Sequence, residues 1–139
     1  MAGKVREVMA RNVHTVPPQM SIHDAAALMR DENIGDVVVA EDDRLLGVVT
    51  DRDIVVRAVA EGRDVDNEHV DSVCSSELTV ISPDDDLQEA ARLMRERGVR
   101  RIPVVENDRV TGMVSIGDLA IEVDPGSALA DISAKRPNT

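Results

Sequence analysis

The chain of 139 residues contains no Phe, Tyr or Trp. Without an aromatic face it cannot stack bases, the usual platform for single-stranded nucleic acid. Basic charge is also scarce, with 16 Lys and Arg against 27 Asp and Glu and a formal net charge of −11. Such a surface repels a phosphate backbone unless a basic patch offsets it, and no basic run exceeds the two residues of Arg100-Arg101 or Lys135-Arg136. Nucleic acid is therefore not an expected partner. Cys74 is the single cysteine, which excludes an intramolecular disulfide and a cysteine-rich zinc site. His14, His23 and His69 are scattered without ligand spacing, so no metal is expected. No apolar run approaches the roughly 20 residues that span a bilayer, and the stretch from Met1 to Arg6 lacks an apolar signal core. A cytoplasmic protein with no membrane partner is the expectation.

What is present is a repeat. Gly47-Val48-Val49-Thr50-Asp51-Arg52-Asp53 returns 65 residues later as Gly112-Met113-Val114-Ser115-Ile116-Gly117-Asp118. Each copy reads as a strand delivering the chain into a helix. Thr50 and Ser115 stand at the N-cap, with Asp53 and Asp118 at the third helical position. This is a capping box, which satisfies orphan amides and sets negative charge at the positive helix end. Alone, such a box marks a helix start and nothing more. A repeat of about this length is near the lower limit for a self-sufficient core, so the halves are expected to pack together.

The same offset orders the rest of the chain. Val5 to Met9, a short helical turn, is matched by Val70 to Cys74. His14-Thr15-Val16 and Val80-Ile81 read as brief strands ending at proline. Ser21 with Asp24 caps a helix whose apolar face is Ile22, Ala25, Ala26 and Met29; Asp86 and Glu89 take the cap roles in the second half, before Leu87, Ala90, Ala91 and Met94. The methionines read as core packing. Two hairpins follow, turning at Glu41-Asp42-Asp43-Arg44 and Glu106-Asn107-Asp108-Arg109. The last helices carry Ile54, Val55, Ala58 and Val59, or Leu119, Ala120 and Val123, and stop at Gly62 and at Pro125-Gly126. The fold class is α/β (α+β), two β-α-β-β-α repeats, with boundaries at 1–64, 65–124 and a tail at 125–139. The weak apolar pattern at Ala128, Leu129 and Ile132 allows the tail either to dock as a short helix or to stay mobile.

This tandem resembles a pair of CBS domains, the repeats named after cystathionine β-synthase and called a Bateman module when paired. The matching residues are Thr15-Val16 with Pro18, Ala25-Ala26 with Leu28-Met29, and Gly47-x-x-Thr50-x-x-Asp53. In the second repeat they are Pro83, Ala90-Ala91, Leu93-Met94, Gly98-Val99-Arg100-Arg101-Ile102-Pro103-Val104 and Gly112-x-x-Ser115-x-x-Asp118. Thr50 to Val55 with Ala60-Glu61-Gly62 also looks like small stand-alone CBS proteins of bacteria, including the hypoxic-response group.

The resemblance implies two repeats packed as a pseudo-two-fold pair, with adenosine-containing ligands in the clefts between them. AMP, ADP or ATP leads and S-adenosylmethionine is an alternative, as regulatory ligand and not as required cofactor. It implies that Asp53 and Asp118 hold ribose hydroxyls, with Thr50 and Ser115 beside the phosphate path. A carboxylate can accept from two adjacent hydroxyls, and a helix N-terminus offers amides to phosphate. By family position Thr15, Ile34 and Val37 would line the first adenine slot, and Val80, Val99 and Ile102 the second. The repeats differ where Arg100 and Arg101 replace Gly35 and Asp36, which points to phosphorylated ligands at the second site. Arg52, at the first helix start, could supply charge to the first. A residue can cap and bind, so the capping role of each aspartate stands beside the nucleotide role.

Three classes of function compete. The leading one is a regulatory module without catalysis, acting through an unknown effector protein or through a homodimer, which the resemblance implies. Enzyme catalysis would need a nucleophile partner that no histidine or cysteine is placed to give. The third is a stress-related interaction scaffold with little or no nucleotide binding.

Overall fold

The computed structural model describes residues 3–75, 78–123 and 126. In chain order the elements are α1 (Val5–Val8), β1 (Thr15–Val16), α2 (Ile22–Glu32), β2 (Asp36–Glu41), β3 (Arg44–Thr50) and α3 (Asp51–Asp53). A π-helix (Ile54–Val59) and a 3₁₀ turn (Val70–Ser72) come next, then α4 (Leu87–Arg97), β4 (Arg101–Glu106), β5 (Arg109–Ser115) and α5 (Ile116–Val123). The expectations for the tail, its Ala128-Leu129-Ile132 pattern included, lie outside the described residues. The described residues divide into two compact units, one within 14–78 and the other formed by 3–13 with those from 79 to 126.

In the unit of residues 14–78, β1 runs parallel to β2, pairing Thr15 with Val38 and Val16 with Val39. β2 and β3 form an antiparallel hairpin with an irregularity between Val39 and Ala40. Its turn residues Asp42 and Asp43 have φ of 54° and 66°. Positive φ at both central positions is the type I′ geometry that matches strand twist. The Ser21 hydroxyl caps α2 by accepting from the Asp24 amide at 3.0 Å. Ile22, Ala25 and Met29 then point inward, against Val16, Val37, Val39, Val49, Ile54 and Ala58. Ile22 is wholly buried; a side chain of this size contributes roughly 1.5–3 kcal/mol through burial.

The other unit repeats the plan. β4 and β5 pair antiparallel, Asn107 and Asp108 take the positive-φ turn, and Ile81 bridges in parallel to Val104. Leu87, Ala90 and Met94 of α4 are buried with Ile102, Val104, Val114 and Leu119. Ala120 is half-buried, and the side chain of Val123 lies outside those described.

The packing units differ from the sequence repeats by one segment. Val5 and Met9, at the head of the chain, belong to the core of the second repeat. The Val5 amide donates to the Asp85 carbonyl and the Arg6 amide to the Pro83 carbonyl, both at 2.9 Å. In the same way Val70 and Val73 complete the core of the first repeat, with the Val70 amide donating to the Met20 carbonyl.

Two local expectations are corrected. Asp86 stands at the N-cap of α4 but its side chain makes no cap bond. Its carboxylate instead accepts from the Lys4 ammonium at 2.9 Å, and Glu89 pairs with Arg92. Val55 and Val59 do not face the core: they are 58% and 62% exposed, while Ile54 and Ala58 are buried. The helix here winds with bonds from the Ala60 amide to the Val55 carbonyl and from Arg63 to Ala58. That i→i+5 pattern widens the turn, and only one row of side chains reaches the core.

Candidate functional site

Each hairpin ends in a reciprocal hydrogen-bond pair. In the first repeat the Asp53 amide donates to Thr50 Oγ1 at 3.0 Å and the Thr50 amide donates to Asp53 Oδ2 at 2.9 Å. In the second the Asp118 amide donates to Ser115 Oγ at 3.0 Å and the Ser115 amide donates to Asp118 Oδ2 at 2.9 Å. The capping boxes are therefore real, and each uses only one oxygen of its carboxylate. All four side chains are partly exposed.

The start of the hairpin comes back to the same place. Asp36 is in register with Thr50, and the Asp51 amide donates to the Gly35 carbonyl at 2.9 Å. Arg101 is in register with Ser115, and the Ile116 amide donates to the Arg100 carbonyl at 2.8 Å. The exposed Arg100 and Arg101 thus flank the second box, at the positions of Gly35 and Asp36 in the first. Arg52, also exposed, follows Thr50 by two residues, and its amide donates to the Asp51 carboxylate.

The aliphatic positions are less uniform. Val37 and Ile102 are sealed in the two cores, at 1% and 0% exposure. Ile34 and Val99 are half-buried against those cores, whereas Thr15 is exposed on β1 beside β2 and Val80 is exposed outside any strand, next to the single Ile81 bridge to β4.

Three features escaped the sequence reading. Arg57 Nε lies 3.8 Å from Asp53 Oδ1, one helical turn beyond the box, and its Nη1 reaches the Val73 carbonyl at 3.5 Å. An acid followed by a base at i,i+4 is a recognised pairing and was the available signal. The motif glycines serve packing: a Cβ on Gly47 would lie 2.8 Å from Cys74 Sγ and 2.9 Å from the Ser75 carbonyl oxygen. Finally, the acidic run at Asp84 to Asp86 anchors the head of the chain through Arg6–Asp84 and Lys4–Asp86 ion pairs.

Among the described residues no group of three or more His, Cys, Asp or Glu could hold a metal ion. Nor is any helix among them long and apolar enough to cross a membrane.

Comparison with known proteins gives the same architecture. The chain is 40% identical over 135 residues to the CBS domain-containing protein YhcV of Bacillus subtilis, covering 94% of this chain and 96% of that one. It is 33% identical over 116 residues to hypoxic response protein 1 of Mycobacterium tuberculosis, covering 83% and 81% of the two chains. The crystal structure of Hypoxic Response Protein I, with two coordinated zinc ions, superposes with a TM-score of 0.80 at 31% identity, over 88% of this chain and 100% of that one. A CBS domain pair crystallised with 5′-methylthioadenosine and S-adenosyl-L-methionine shares the fold at a TM-score of 0.79 and 20% identity, over 91% and 100% of the chains. The sequence profile of the CBS domain matches residues 5–59 and again 70–124. With its two profile matches and its duplicated hairpin-and-box unit, the chain belongs to the CBS domain family.

Proposed function

We propose that this chain is a non-catalytic sensor of adenosine-containing ligands, with AMP, ADP or ATP ahead of S-adenosylmethionine. The observation that carries the reading is the half-used carboxylate. Asp53 and Asp118 are fixed by the box through Oδ2, while each retains a second oxygen and partial exposure. A carboxylate so held is oriented before a ligand arrives, and it can accept from vicinal ribose hydroxyls at little ordering cost. Thr50 and Ser115 stand beside the phosphate path, and Arg100 and Arg101 give the second box the positive charge that a phosphate requires. Thr15 and Ile34 form the aliphatic side of the first site and Val80 and Val99 that of the second, while Val37 and Ile102, sealed in the cores, offer no side-chain surface to either. The solved CBS pair holding 5′-methylthioadenosine and S-adenosylmethionine is alike in fold, and it sets adenosyl compounds as the class to test. The zinc of the solved hypoxic response protein has no matching donor cluster among the described residues here.

Output would pass to an effector protein or through the geometry of a homodimer. In one unit the exposed Val55, Val56 and Val59, and in the other the exposed Ile116 and Ile121, each supply apolar surface for a second copy. A cytoplasmic setting suits such a ligand.

Thermal unfolding against AMP, ADP, ATP, S-adenosylmethionine and NAD tests the reading. A ligand that binds only the folded state stabilises it by about 2.7 kcal/mol at a hundredfold excess over Kd. A selective rise in Tm, reduced in Asp118→Ala relative to that variant's own baseline and lost when Asp53→Ala is added, is the expected result. No rise with any of them favours the interaction scaffold.

A further inference from the structure

The two ribose carboxylates do not stand in the same field. Asp53 Oδ1 faces Arg57 Nε at 3.8 Å, and that guanidinium is steadied by the Val73 carbonyl at 3.5 Å. The Asp53 side chain is only 17% exposed, so water screens this pair less than it would two fully exposed groups. In the second repeat the position equivalent to Arg57 is Glu122. Asp118 therefore has no arginine one helical turn beyond it. The capping boxes themselves have matching bond lengths, so the difference at the second carboxylate oxygen comes from around the box and not from within it.

Resting on the adenosyl reading above, we infer that Arg57 is the specificity-determining residue of the first site, holding Asp53 Oδ1 so that this site binds ribose more weakly than the second. A hydroxyl approaching Asp53 meets an oxygen already directed at a cation. One approaching Asp118 meets an oxygen without that competitor. The effect is modest, because a partly exposed ion pair shifts an equilibrium by roughly two- to fivefold. It also depends on salt, which screens Arg57 from Asp53 and frees the acceptor. The second repeat therefore fills first as the ligand rises.

Adenosine is the suitable probe, because it is uncharged and has no phosphate for an arginine to attract. Isothermal titration in an Asp118→Ala background isolates the first site, and titration in an Asp53→Ala background isolates the second. Adding Arg57→Gln to the first background is expected to tighten adenosine about threefold and to abolish the gain in affinity with salt. Arg57→Lys should restore the weaker binding, and Arg57→Gln should leave the second site unchanged. Glu122→Arg in the second background should weaken adenosine by a similar factor. If adenosine binds the unsubstituted chain but Arg57→Gln leaves the first site unchanged or weaker, this inference fails and the adenosyl reading stands. If adenosine does not bind the unsubstituted chain at all, both fall together.

Discussion

A Cβ placed on Gly112 would lie 2.7 Å from the Met9 sulfur and 2.9 Å from the Ala10 carbonyl oxygen. The thioether can swing aside, but the carbonyl cannot. Ala10 and Met113 exchange amide-to-carbonyl bonds in both directions, at 2.8 and 3.0 Å. Gly112→Ala should therefore destabilise the protein by about 1–3 kcal/mol, the usual range for overpacking. Urea midpoints with an unchanged m-value would register the loss. Adding Met9→Ala should recover little of it, because the backbone clash remains.

The capping and ligand roles of the second box can be separated. Ser115→Ala removes the acceptor of the Asp118 amide and should cost about 1 kcal/mol, as loss of an N-cap hydroxyl does. Asp118→Asn keeps an oxygen for the Ser115 amide and should cost less stability. It should nevertheless lose more of the adenosine-dependent rise in Tm, since the ribose acceptor is no longer charged. Thermal unfolding of both variants, with and without adenosine, distinguishes the two orders of effect.

Burial pushes the Cys74 thiol above its ordinary range, and the nearby Asp71 adds to the shift. Less thiolate is then available in the folded state, so alkylation by iodoacetamide at pH 8 should run slower than for an unfolded-chain thiol and should accelerate in denaturant. Because the folded pKa is raised, the stability linked to this group is intact below the ordinary thiol pKa and is lost as pH rises through the folded value. A Cys74→Ala variant should show a flatter alkaline limb in thermal midpoint against pH.

Where a local rule governs the backbone, the sequence was readable. Asp42-Asp43 and Asn107-Asp108 announce tight turns because few other residues accept positive φ twice in succession. Thr50 with Asp53 and Ser115 with Asp118 announce helix starts because the box needs only four consecutive residues. The residues that escaped depend on what packs nearby. Asp86 has the spacing of a cap, but Lys4 arrives from more than 80 residues away and takes its carboxylate. Val55 and Val59 have the spacing of an inward row, but the π winding leaves them in solvent. The motif glycines carry no packing signal of their own, since the backbone that closes on them comes from distant parts of the chain, Ser75 for Gly47 and Ala10 for Gly112. Family position assigns Val37 and Ile102 to the adenine slots, and that criterion is blind to the depth at which they sit.

The offset between sequence repeat and packing unit has a practical consequence for dissecting the protein. A cut between residues 64 and 65 follows the repeat as written, yet it leaves neither product whole. The N-terminal fragment would keep Val5 and Met9, which have no core of their own there, and would lose Val70 and Val73. The core cluster of the first repeat falls whole within residues 14–78. Unit boundaries in this chain are thus staggered, like bricks laid across a joint, and truncations or engineered protease sites should be placed by that stagger.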